Sequence, residues 1–129
     1  MDVKDLKIES TIKTPEITFL AKEGRLTLSG RSIPENSIDF FKPLNDWLNQ
    51  YFVKPNPSTR IEVKLEYFNT STSKSMLDMF KFMEGHNGLL TSIEIDWYYE
   101  NDDEDMLEAG EDYQAILNIP FNLVSVEEL

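Results

Sequence analysis

Residues 60–83 read RIEVKLEYFNTSTSKSMLDMFKFM, and the change of period inside this stretch decides the fold. From Arg60 to Phe68 apolar and charged side chains alternate. Ile61, Val63, Leu65 and Tyr67 fall on one face and Glu62, Lys64 and Glu66 on the other, the two-residue period of a half-exposed strand. Met76, Leu77, Phe80 and Met83 then recur at helical spacing. Gly85, His86, Asn87 and Gly88 follow, with glycine and asparagine suited to left-handed conformations where the helix stops. A second alternating run sets Ile93, Ile95, Trp97 and Tyr99 opposite Glu94, Asp96 and Tyr98. Strand, helix and strand of these lengths predict a right-handed crossover between parallel neighbours. Because both strands alternate, helices should cover one face of the sheet only.

Working outward, Leu6 to Ile8, Ile17 to Phe19 and Leu26 to Leu28 read as short strands, the last two joined by a hairpin turn through Ala21, Lys22, Glu23 and Gly24. Pro34, Glu35, Asn36 and Ser37 offer helix-start chemistry ahead of a stripe formed by Ile38, Phe41, Leu44, Leu48 and Tyr51. Pro43 interrupts that stripe, which predicts a kink or two abutting helical pieces. Towards the end of the chain a short helix is expected over residues 105–112 and a strand over 115–119, closed by Pro120. The fold class is therefore α/β: a two-layer mixed sheet in one domain spanning residues 1–129, with no repeat or linker.

Charge and composition narrow the partners. The 129 residues carry 24 acidic side chains against 12 Lys plus Arg, a formal net charge of -12 that disfavours nucleic acid and anionic membrane surfaces. The absence of cysteine removes disulfides, thiol nucleophiles and Cys-based zinc sites, and sits most easily with a reducing cytoplasm. The amino-terminal residues lack an apolar signal core, and no apolar run approaches the ~20 residues that span a bilayer. A soluble cytoplasmic protein is the expectation.

Between the alternating strand and the helical run, five hydroxyl side chains occupy six positions: Thr70, Ser71, Thr72, Ser73 and Ser75. Capping accounts for one of them, with Ser73 or Ser75 as candidates and Ser75 to Asp78 resembling a capping box. A further possibility is a phosphoacceptor. A phosphate just ahead of the first helical turn would meet free backbone amides and the positive end of the helix dipole, with Lys74 as a nearby cation. Such a group adds close to two negative charges and would act as a switch for a docking partner. Ser71 to Lys74 also spells S-x-x-K, but the companion S-D-N and K-T-G elements of serine acyl enzymes are missing. Asn69-Thr70-Ser71 fits a glycosylation sequon, which has no meaning without a secretory signal.

Other chemistry is weaker. Residues 100–112 hold eight carboxylates in thirteen positions, but neither the glycine nor the glutamate of a calcium loop falls at its required offset. A solvated segment is expected there, with a basic docking partner as the alternative. His86 is the only histidine and has no second ligand for a metal. Trp47, Trp97, Tyr98 and Tyr99 are assigned to core and sheet packing, with Tyr98 pointing to the polar face, where it could serve an interface. No nucleotide-binding or metalloprotease motif is present, so neither a cofactor nor a metal is expected.

Gly30-Arg31-Ser32-Ile33-Pro34-Glu35-Asn36, the run from Leu65 to Lys74, Trp97-Tyr98-Tyr99-Glu100, Asp103-Glu104-Asp105-Met106 and Gly110-Glu111-Asp112 together resemble the SiaC family of bacterial regulatory phosphoproteins. The resemblance covers nearly the whole chain. It implies a fold akin to the STAS domain of anti-anti-sigma factors, in which a serine/threonine kinase phosphorylates a hydroxyl at a strand-to-helix junction and a PP2C-type phosphatase restores it. The acceptor implied is Thr70. The bare form is implied to bind a diguanylate cyclase and promote cyclic di-GMP synthesis in biofilm signalling. Around the acceptor, Asn69, Ser71, Thr72, Ser73 and Lys74 form the expected surroundings, with Ser71 and Ser73 to shape or cap the helix start and Lys74 to balance the phosphate. Arg31, Ser32, Pro34, Glu35 and Asn36 are expected to form a neighbouring contact surface. The alternative is a constitutive adaptor that is never modified.

Overall fold

The computed structural model describes residues 3–129. Six strands and three helices follow one another as β1 Leu6–Ile8, β2 Glu16–Leu20, β3 Arg25–Ser32, α1 Ser37–Tyr51, β4 Ser58–Phe68, α2 Thr70–Glu84, β5 Ser92–Glu100, α3 Glu104–Ile116 and β6 Phe121–Val126. Strand order in the sheet is the same as order in the chain. The pairs β1–β2 and β2–β3 are antiparallel, and β3 through β6 are parallel, so the sheet is mixed, as the hairpin and the crossover together predict. All three crossovers step in one direction, and the right hand that such crossovers adopt places every helix on the same face.

That face holds the core. Ile17 and Phe19 of β2, Leu26 and Leu28 of β3, Ile61, Val63 and Leu65 of β4, and Ile93, Ile95 and Trp97 of β5 are buried against Phe41, Leu44 and Leu48 of α1 and Met76, Phe80 and Met83 of α2. α3 adds Met106 and Tyr113. It lies close to the sheet because Gly110 faces Trp97: a β-carbon there would stand 2.5 Å from the indole Cδ1 and 2.7 Å from Leu123 Cδ2.

The opposite face carries the polar half of the alternation. Arg25 Nε donates to Glu62 at 2.8 Å, and the Arg60 guanidinium bridges Glu94 and Asp96. Burial works to raise the Glu62 carboxyl, but the hydrogen bond and charge of Arg25, with Lys64 and Thr27, outweigh it and hold the group below the usual carboxylate range.

Several expectations are corrected. α1 is one continuous helix through Pro43, not two pieces. Pro43 is exposed, so the Asp39 carbonyl it leaves without a helical donor lies on the solvent side, while Phe41, Leu44, Trp47, Leu48 and Tyr51 bury the other side. Ile38 is 77% exposed and does not belong to that stripe. Past α2, only Gly88 takes a positive φ (84°); Gly85 is right-handed, and no residue other than glycine has positive φ among the described residues. α3 runs on to Ile116, where Tyr113 and Leu117 continue its apolar side, and Pro120 precedes strand β6 instead of ending one over 115–119.

Tyr67 is corrected as well. Gly30 pairs with Leu65 but Arg31 pairs with Tyr67, so Glu66 is an extra residue in β4, a bulge that Gly30 accommodates at φ 110°. Past the bulge the faces exchange. Tyr67 is 52% exposed with the Arg31 guanidinium 5.8 Å from its ring centre, while Phe68 turns inward to meet Trp97 edge-on at 5.8 Å.

Candidate functional site

Parallel strands place their carboxyl ends, and the helix starts that follow, along one edge, the usual location of sites in sheets of this kind. α1, α2 and α3 all begin there, capped by Asn36, Asn69 and Asp103 through side-chain oxygens that accept from Asp39, Thr72 and Met106 amides. α2 is the central one. Its cap is Asn69 and not Ser73 or Ser75, because the helix starts earlier than the apolar stripe does: Asn69 Oδ1 accepts from Thr72 N at 2.9 Å. Asn69 also fixes the junction to the preceding crossover. Its backbone amide donates to Ser32 O at 3.0 Å, and its side-chain amide donates to Pro34 O at 3.4 Å.

The remaining hydroxyls face different neighbours. Thr72 is buried and donates to Ser32 O at 3.1 Å, with its oxygen 2.9 Å from Ser32 Oγ. Ser75 donates to Ser37 Oγ at 3.2 Å, and Ser37 in turn donates to the Ser71 carbonyl at 3.1 Å. Ser73 meets Tyr113, whose hydroxyl donates to the Ser73 carbonyl at 2.8 Å and lies 3.0 Å from Ser73 Oγ. Burial raises the Tyr113 phenol, against a smaller lowering by Ser73, so it stays neutral at physiological pH. Ser71 is exposed and donates to Asn69 Oδ1 at 3.1 Å. These bonds tie the start of α2 to β3, α1 and α3 at once.

Thr70 stands apart. It is exposed, it is the first residue of α2, and its hydroxyl has no hydrogen bond among the described residues. At that position the backbone amides of Thr70 and Ser71 precede any intrahelical acceptor, so they face outward unpaired. Lys74, one helical turn on, is exposed and makes no ion pair among the described residues. An anion on Thr70 would therefore meet a helix dipole, two amides and an ammonium group.

The neighbouring segment divides into an outer and an inner set. Arg31, Glu35 and Asn36 are exposed, with Glu35 3.6 Å from Lys13 Nζ. Ser32 and Pro34 are buried and support the surface from beneath. His86 stacks on Phe52 at 4.4 Å, away from this edge. Among the described residues no group of three or more His, Asp or Glu is placed to hold a metal ion, and no helix is long and apolar enough to cross a membrane.

Sequence reasoning missed Ser37 and Tyr113. Tyr113 was legible in principle, because Met106, Gly110 and Tyr113 recur at helical spacing once the helix is allowed to continue.

The profile of the SiaC family regulatory phosphoproteins matches residues 8–126. The chain belongs to this family. Over 126 residues, 98% of this chain and all of the relative, it is 29% identical to an uncharacterized protein of Pseudomonas aeruginosa strain UCBPP-PA14. Its structure is similar to SiaC of Pseudomonas aeruginosa, with a TM-score of 0.87 and 28% identity over 95% of this chain and 99% of that one. It is equally similar to a chain in the crystal structure of the diguanylate cyclase SiaD in complex with its activator SiaC, with a TM-score of 0.88 and 29% identity over 95% of this chain and 100% of that one.

Proposed function

We propose that this SiaC family member is a non-enzymatic, single-domain cytoplasmic switch, phosphorylated on Thr70 by a partner serine/threonine kinase and restored by a PP2C-type phosphatase. The bare form binds and activates a diguanylate cyclase, so the output is cyclic di-GMP. Thr70 carries this reading. Of the five clustered hydroxyls it alone is both exposed and free of hydrogen bonds, and it stands where a helix start and Lys74 favour an anion. Thr72 is buried, and Ser71, Ser73 and Ser75 are already paired. The cyclase as partner is supported by the similarity to the activator-bound structure, and the layering is compatible with the anti-anti-sigma arrangement that the resemblance implies.

In the forward step Thr70 Oγ1 bonds to the γ-phosphorus of ATP, ADP leaves, and the hydroxyl proton passes to a base of the kinase. Hydrolysis by the phosphatase returns the hydroxyl and releases inorganic phosphate. The added charge of about -1.5 to -2 changes the outward face of the α2 start, where the bare protein presents a neutral side chain.

Incubation with the cognate kinase and ATP, followed by mass spectrometry, tests this. The wild type gains one phosphoryl group and Thr70→Ala gains none. A labelled Thr70→Ala protein would reject the assignment, and an unlabelled wild type would favour the unmodified adaptor.

A further inference from the structure

The bulge at Glu66 has an effect on the next strand pair. β4 and β5 are paired only from Ser58 with Ser92 to Val63 with Trp97. Beyond that point β4 stays with β3 as far as Phe68, and β5 stays with β6 as far as Glu100. A bulged strand bends and twists away from its former line. The two halves of the sheet therefore part at their carboxyl ends, and the start of α3 stands over the opening. The result is a groove of about 360 Å³ with Glu66, Tyr67 and Phe68 on one side and Asp103, Asp105, Met106 and Ala109 on the other.

The groove has an apolar floor and an acidic rim. Phe68, Ala109 and the nearly buried Met106 offer carbon surface, and the methionine can adapt to the shape of what it meets. Glu66, Asp103 and Asp105 form no ion pair with lysine or arginine among the described residues. A second copy of this chain is a poor occupant, since each copy carries a net charge of -12.

The geometry points to this groove as the docking site for a segment of the partner protein that combines a large apolar side chain with flanking lysine or arginine. The apolar side chain enters between Phe68 and Met106 while the cations meet Glu66 and Asp105. This inference rests on the proposed switch for its setting, because Phe68 lies two residues before Thr70 in the chain. The chemistry of the groove is its own. It supplies attachment to the partner, whereas Thr70 supplies regulation.

The probe is the peptide acetyl-KRLWKR-amide, with acetyl-EELWEE-amide as control, titrated into unmodified full-length protein and followed by amide chemical shifts. The basic peptide should shift the resonances of Tyr67, Phe68, Met106 and Ala109 first. The acidic peptide should leave them in place. The double variant E66K/D105K, both exposed positions, should weaken binding about tenfold or more, equivalent to ~1.4 kcal/mol. Thr70→Ala should bind the peptide as the wild type does. Shifts elsewhere, equal binding of both peptides, or an unaffected double variant would overturn the groove assignment. Failure here leaves kinase labelling of Thr70 untouched, and failure of that labelling leaves peptide binding untouched, so the two outcomes separate.

Discussion

The junctions β4–α2 and β5–α3 are built on one plan and differ in charge. Each runs from the carboxyl end of a parallel strand into a helix capped by an Asx side chain, Asn69 in one and Asp103 in the other. At α3 the first turn already holds Glu104 and Asp105, so the positive end of the helix dipole has its anions. α2 has no acidic residue in its first turn and instead carries neutral hydroxyls. The lesson is that an added anion at α2 fills an electrostatic vacancy, while the same anion at α3 would meet carboxylates. Both helices bury apolar side chains against the sheet, but only the start of α2 adds hydroxyl bonds to three neighbouring elements.

Four experiments can break or sharpen that contrast. The largest effect belongs to α3. Gly110→Ala forces a methyl group into Trp97 and Leu123 and should destabilise the fold by about 1–3 kcal/mol, towards the upper end, read as a lower urea midpoint. Next is the buried hydroxyl pair. Thr72→Val keeps the shape but leaves Ser32 Oγ and the Ser32 carbonyl without Thr72, which should cost about 1–2 kcal/mol in the same assay. A third comparison sets the caps against each other, with Asn69→Ala and Asp103→Ala each losing ~1 kcal/mol. Asn69→Ala should lose more, since it also gives up the bond to Pro34; equal losses would mean that this bond contributes nothing measurable. The smallest effect concerns the proposed anion. Phosphorylation of Thr70 should raise the thermal midpoint by an amount equivalent to about 0.3–1 kcal/mol, and Lys74→Gln should remove a few tenths of that, less so at high salt.

Most of the architecture was legible because the sequence changes period sharply. Ile61 to Leu65 and Ile93 to Trp97 alternate, Met76 to Met83 does not, and those periods specify a strand, helix and strand with one covered face. What escaped was set by geometry that no period encodes. Tyr67 looked like a core residue because a bulge depends on one glycine in the partner strand, and nothing in residues 60–68 signals it. The end of α3 was misplaced because Ala115, Ile116 and Leu117 suit a strand as well as a last helical turn, and only packing against the sheet decides. At the site, Thr70 and its neighbours were legible as a cluster, but which hydroxyl stays free depends on partners at Ser32, Ser37 and Tyr113, far away in the chain.

Because strands lie side by side in the order in which they are synthesised, each can join the growing sheet beside the strand made just before it. The α2 start is the exception. Ser37 precedes it by more than thirty residues and Tyr113 follows it by about forty, so a nascent chain that has not yet reached Tyr113 presents an unfinished α2 start, and the surface around Thr70 takes its final form only after α3 is made.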